Sequence, residues 1–224
     1  IQMRKAVLSI LLLCLLGGAL SFTHTQILDA INWARTDPRG FAETAKKNSR
    51  WYDAATATWK ADYFEPNCYQ NTYRWLTKTE PVGTEQLPSV AAVPALQESS
   101  VAVAAAHAHS KWLGTVKLSL SHTGENNSSP YDRLYWFGAF KAGTCWAYNE
   151  NIAGTMPAWG SANDWVFQWI ADCGLTSRGH RNNIFSTKIT HYGCAEYKGT
   201  NGWAYATCDG VTAMDKSTSL SSDR

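Results

Sequence analysis

Two strand-like segments near the C-terminus, ITHYGCAEY (189–197) and WAYATC (203–208), flank the turn-forming stretch KGTNG. Aromatic and β-branched residues bounded by Gly and Asn read as an antiparallel hairpin. If the hairpin is symmetric about Asn201, Cys194 faces Cys208, which predicts a cross-strand disulfide. That register is the tightest constraint the sequence places on the fold.

The remaining patterned segments are helical. Ile27, Leu28, Ile31 and Ala34 form an apolar stripe that predicts a helix over 25–36. Asp37 then precedes Pro38, so Asp37 can cap a second helix running to about Lys47. The stripe Val101, Ala105, Ala108 and Trp112 predicts a third helix from Ala95 to about Gly114. Trp165, Val166, Trp169 and Ile170 place a fourth over 163–171. Helices outnumber strands and the strands are antiparallel, so the class is α+β or a layered α/β/α sandwich.

Two stretches lack periodicity. Residues 51–93 hold Trp51, Tyr52, Trp59, Tyr63, Phe64, Tyr69, Tyr73 and Trp75 among scattered prolines. They read as an irregular insertion whose rings pack on the domain rather than form a ligand surface. Between Ala153 and Asn163, AGTMPAWGSAN reads as a mobile loop with an apolar tip, Trp159.

Residues 1–21 have the order of a secretory leader: Arg4 and Lys5, an apolar run from Ala6 to Leu20, then the small Ser21. The run is shorter than the roughly 20 apolar residues a spanning helix needs. The leader accounts for two of the 20 basic residues and none of the 18 acidic ones, so the rest of the chain is formally neutral. Such a balance offers no net basic field for nucleic acid or an anionic membrane. The expected organisation is a leader over 1–21, one domain over 22–209 and a Ser-rich tail over 210–224.

Five cysteines follow the leader: Cys68, Cys145, Cys173, Cys194 and Cys208. In an oxidising compartment they are expected to pair, with one left over. Cys145–Cys173 is taken beside Cys194–Cys208, leaving Cys68. Overlapping glycosylation sequons fall on Asn126 and Asn127 in NNSS.

The polar residues that could carry chemistry are His122, Glu150, Asp172 and His180. Each sits beside a punctuating residue or at the end of an element, where chain reversal can aim side chains into one cleft. Two imidazoles with two carboxylates could bind a divalent metal or hold an ordered water. His107 and His109 form an HxH, but residues two apart on a helix point away from each other, so they read as flanking positions. No GxSxG nucleophile elbow is present.

HTGENNSSPYDRLYWFGAF, NENIAG, DWVFQWIADCGLTSRGHRNNIF and HYGCAEY, in that order, resemble the CAP superfamily, with its cysteine-rich secretory, antigen 5 and pathogenesis-related proteins. The likeness is to bacterial and protist members and covers about 25–209. It implies a three-layer α/β/α sandwich with a central antiparallel sheet. It also implies a cavity tetrad of His122, Glu150, Asp172 and His180. Glu150 is preferred over Glu125, which also sits in a GEN string. Asp172 stands where the family has W-x-x-E, and being one methylene shorter it puts that contact in doubt.

The resemblance further implies that His122 and His180 can hold zinc or another divalent cation, weakly because durable zinc sites use three or four protein ligands. Loops like 153–163 are associated in relatives with sterol or lipid ligands, which makes Trp159 a candidate contact. The reading is a secreted, non-enzymatic binding module for a metal, lipid or protein. Two alternatives are a hydrolase with zinc-activated water and an envelope protein linked to a partner through Cys68.

Overall fold

The computed structural model describes residues 23–48, 50–77, 90–141, 145, 147–155 and 161–212. Helix α1 (His24–Thr36) starts at a capping box in which Thr23 and Gln26 satisfy each other's backbone N–H. Its buried side chains include Ile27, Leu28, Ile31 and Ala34. Helix α2 (Pro38–Asn48) follows at once, with Asp37 Oδ1 accepting from the Gly40 N–H at 2.9 Å.

The insertion is more regular than its sequence suggests. Strands β1 (Tyr52–Asp53) and β2 (Thr58–Trp59) form a small hairpin, and helix α3 (Cys68–Thr77) buries Cys68, Tyr69, Thr72 and Leu76. Most of the rings do pack: Trp51 stacks on Tyr69 at 4.6 Å and Trp59 on Phe167 at 5.9 Å. Tyr63 and Phe64 remain exposed.

The third helix begins later than its apolar pattern predicts. Gln97–Glu98 forms β3, and helix α4 (Ser100–Trp112) starts where the Ser99 side chain accepts from Ala102 N–H. The Asn32 amide both donates to and accepts from the Leu96 backbone, which fixes that segment against α1. Its buried face is Ala102, Ala105, Ala106, His109 and Ser110, so the stripe is rotated and His109 points inward. A π-turn (Leu113–Lys117) ends the helix.

Helix α5 (Pro130–Trp136) carries a Ser129–Asp132 capping box and Pro130 at its first turn. Strand β4 (Tyr148–Thr155), helix α6 (Ala162–Ala171), helix α7 (Gly179–Ile184), and strands β5 (His191–Lys198) and β6 (Ala204–Val211) complete the order.

One sheet runs β3-β5-β6-β4; β4, β5 and β6 are antiparallel, and the two-residue β3 pairs parallel with β5. Tyr192, Cys194, Ala206 and Cys208 face a core built from α1, α2, α3 and α6. The opposite face meets α4, with Ala102, Ala105, Leu134 and Val211 in the contact. The result is an α+β sandwich of helix, sheet and helix layers. Small residues let α4 approach closely: a β-carbon on Gly193 would overlap the backbone of Ala102 and Val103.

Cys194 and Cys208 are register partners joined by a disulfide, Cα atoms 4.0 Å apart. The second bridge corrects the expected pairing. Cys173 joins Cys68, with Cα atoms 5.7 Å apart, because the turn after α6 lies against the start of α3. Cys145 is the free cysteine among the described residues, and Cys68 is not available to a partner molecule. Strand β6 continues through Gly210 and Val211, both buried. The leader, the tail from 213 onward and Trp159 lie outside the described residues.

Candidate functional site

The loop after the π-turn carries His122, and three anchors hold it. His109 Nε2 donates to the Ser121 carbonyl at 2.9 Å. Arg133 donates to the His122 carbonyl from both terminal nitrogens at 3.2 Å, and to the Ser128 carbonyl at 3.0 Å. Gly124 N–H donates to the Ser128 carbonyl, and a side chain there would crowd Arg133, Ser128 and His109.

Thus fixed, His122 Nδ1 lies 2.7 Å from Glu150 Oε1, the two forming one imidazole–carboxylate dyad. Glu150 is buried on β4, and its other oxygen is paired with the Arg133 guanidinium. Burial alone would push the Glu150 carboxyl up, but the His122 hydrogen bond and the Arg133 charge outweigh it and hold it below its usual range. Glu125, in the same loop, is exposed in a 3-10 turn.

The second dyad forms at the other side of β4. Asp172 ends α6 in the left-handed conformation at φ 52°. That turn brings its short side chain back to His180, with Oδ1 2.7 Å from His180 Nδ1 and Oδ2 accepting from the His180 N–H at 3.0 Å. The missing methylene is made up by the backbone turn. Arg178, itself left-handed at φ 49°, donates to the Ala171 and Asp172 carbonyls and pairs with Glu65 at 2.6 Å. The insertion therefore braces the turn through Glu65 and the Cys68–Cys173 bridge.

Both dyads hang on consecutive positions of one strand. Glu150 bonds His122 through its side chain, and its carbonyl accepts from the Asn183 amide at 3.1 Å. Asn151, next along β4, donates to the His180 carbonyl at 3.3 Å. The carboxylates are buried, while His122 is 56% and His180 20% exposed. In each ring Nδ1–H donates to a carboxylate, so the neutral form of the ring carries its lone pair at Nε2. Among the described residues neither Nε2 has a hydrogen-bond partner.

Three residues of this network lie outside the four drawn from the sequence. Arg133 sits in the SPYDR string, one residue past a readable capping box. His109 is the inward member of the HxH; burial lowers its pKa to about 4, so it is a neutral strut. Asp209 stands opposite Glu150 in the β4–β6 pairing, fully buried, with neither carboxyl oxygen hydrogen-bonded. Burial first, and the charge of Glu150 second, raise it well above the carboxylate range.

For a divalent cation the donors fit in kind: imidazole nitrogens oriented by carboxylates are the usual arrangement around zinc. They do not fit in number. Among the described residues no three His, Cys, Asp or Glu side chains group closely enough to hold a metal ion by themselves. Waters or a ligand would have to complete the shell. Asn126 and Asn127, the sequon residues, are exposed in the turn beyond His122.

The model of the cysteine-rich secretory protein family, CAP, matches residues 28–209, most of the chain. The chain belongs to the CAP family. No curated protein matches its sequence. Among solved structures it is similar to an outer surface protein from Borrelia burgdorferi, at 16% identity and a TM-score of 0.42, covering 52% of this chain and 77% of that one. Among the described residues there are two disulfides, and no helix is long and apolar enough to cross a membrane.

Proposed function

We propose that the protein is a secreted, non-enzymatic binding module whose two histidine–carboxylate dyads present imidazole Nε2 atoms to a divalent cation. The observation that carries the reading is that each ring is oriented through Nδ1 by a buried carboxylate, leaving Nε2 without a partner among the described residues. His122 and His180 would be the ligands, with Glu150 and Asp172 behind them. The cation would supply a positive centre for an anionic or carbonyl group of a ligand. With both imidazoles on zinc, a hydrolase would need one carboxylate free to take a proton from the metal-bound water. Both carboxylates instead bond an imidazole nitrogen, which favours binding over catalysis. Secretion is supported by the family and by the disulfides.

The test is zinc titration by calorimetry of the chain from residue 22 onward. Saturable binding weaker than that of three- and four-ligand sites is expected, lost in His180→Ala. Asp172→Asn and Glu150→Gln should weaken it by about 10–100-fold, the usual cost of removing an orienting partner. Absence of uptake, or equal uptake by His180→Ala, would sink the cation reading. Saturable binding of a radiolabelled sterol, weakened by Trp159→Ala, would support the lipid reading.

A further inference from the structure

The formal neutrality of the chain beyond residue 21 hides a local asymmetry at the end of the sheet remote from β3. The π-turn and the tip of the β5–β6 hairpin are joined there: Thr200 N–H donates to the Gly114 carbonyl at 2.8 Å. A β-carbon on Gly114 would come within 2.9 Å of Gly199 Cα, so the two segments lie backbone to backbone. Beside them, Leu120 and Trp203 close over Gly154 of β4, at 3.4 Å and 3.3 Å from where its β-carbon would stand.

Among the described residues this tip exposes several apolar side chains. Val116, Leu118, Leu120 and Trp203 are between 37% and 66% exposed. Leu118 takes the left-handed conformation, φ 55°, at the end of the π-turn, a position where glycine would be unstrained. Lys117 adjoins Leu118 in the π-turn, Lys111 lies on the last turn of α4 and Lys198 ends β5; all three are exposed, and none has an ion-pair partner among the described residues. Residues 99–124 and 197–208 contain no Asp or Glu.

We propose that this tip docks on the surface of a bilayer containing anionic lipid. Leucine, valine and tryptophan side chains suit the headgroup–acyl boundary, and lysines beside them meet phosphate and carboxylate headgroups. A second copy is a poorer occupant. A two-fold contact sets the same face against itself, and here that would bring lysines against lysines. The inference is independent of the dyads. It does bear on them, because Gly154 lies four residues, about 13 Å, along β4 from Glu150. Docking would hold the dyads near the headgroups.

Co-sedimentation of the chain from residue 22 onward with phosphatidylcholine vesicles, with and without phosphatidylserine, tests this. Binding is expected only with phosphatidylserine and should fall as salt is raised. Lys117→Glu with Lys198→Glu should reduce it roughly tenfold or more, since each lysine near an anionic surface contributes about fivefold. Leu118→Ser with Leu120→Ser should also reduce it, while zinc uptake stays as in the parent. Tyr63→Ser with Phe64→Ser, which removes a more exposed apolar pair elsewhere, should change nothing. The proposal is overturned if phosphatidylserine vesicles fail to sediment the protein. It is equally overturned if the Tyr63/Phe64 control loses binding as the tip variants do, or if the tip instead forms a dimer that Leu118→Ser dissolves.

Discussion

Asp209 faces Glu150 across the β4–β6 pairing, two carboxyl groups at one register position in the sheet interior. Only one of them is provided for. Glu150 has Arg133 and His122, while neither Asp209 oxygen has a hydrogen bond. The folded protein therefore holds Asp209 protonated above the ordinary carboxyl range.

A raised folded pKa fixes the sign of a stability effect. The contribution of Asp209 is fully present below the unfolded value of about 3.9 and is lost as pH rises through the folded value. Asp209→Asn keeps the shape and removes the proton exchange. Urea unfolding across a pH series should therefore show Asp209→Asn gaining on the parent as pH rises above about 4. Parallel pH profiles for the two proteins would show that Asp209 is ionised in the fold.

Arg133 has the opposite role. It is the cation that lets Glu150 stay charged, and it also fixes the His122 backbone. Arg133→Met should cost about 3–5 kcal/mol, the range for breaking a buried ion pair from one side. It should also move the Glu150 carboxyl upward. Because the parent Glu150 is depressed, its contribution is present above about 4.3 and lost as pH falls through the folded value. The variant should lose that acid-side dependence. A change in unfolding free energy within about 0.5 kcal/mol, typical of an uninvolved surface position, would remove Arg133 from the network.

What could be read in the sequence follows from how local each feature is. The hairpin and its Cys194–Cys208 bridge are set by residues within one supersecondary unit. Helices α1 and α6 carry their caps and stripes on the page. The orientation of α4 is different: alanine is nearly indifferent to burial, so Val101 and Trp112 dominated the pattern while the packed face runs through Ala102, Ala106 and His109. Helix α3 was hidden because rings on all sides obscured the 69, 72, 76 spacing of its buried side. Arg133 and Asp209 acquire meaning only through partners brought by other strands and helices.

The Cys68–Cys173 bridge was the least legible feature, since it spans 105 residues and depends on where α3 docks. In the chain-entropy view, closing a loop of that length stabilises a fold by about 4–5 kcal/mol. Cys173→Ser should lower stability by a comparable amount and loosen Asp172, its chain neighbour. Alkylation of the native protein followed by mass spectrometry should label Cys145 alone among residues 68, 145, 173, 194 and 208. Burial pushes the Cys145 thiol up, so labelling should be slow at neutral pH and quicken as pH rises. Native labelling of Cys68 would contradict the bridge.

Gly193 and Gly210 separate two kinds of close packing on the same pair of strands. A β-carbon on Gly193 would overlap the α4 backbone at Ala102 and Val103, which can move only if the helix lifts off the sheet. On Gly210 it would meet the Tyr192 ring and the Asn149 side chain. Side chains can rotate where backbone cannot, so Gly210→Ala should cost about 1–3 kcal/mol, as overpacking commonly does. Gly193→Ala should cost more, and it should displace the Ser110 hydroxyl from the Ala195 carbonyl and Thr207, its partners on β5 and β6. Denaturant midpoints of the two variants, measured side by side, decide the matter. Equal destabilisation would mean that α4 yields as readily as a ring, and that the loop it carries, with His122, is less firmly placed than this packing requires.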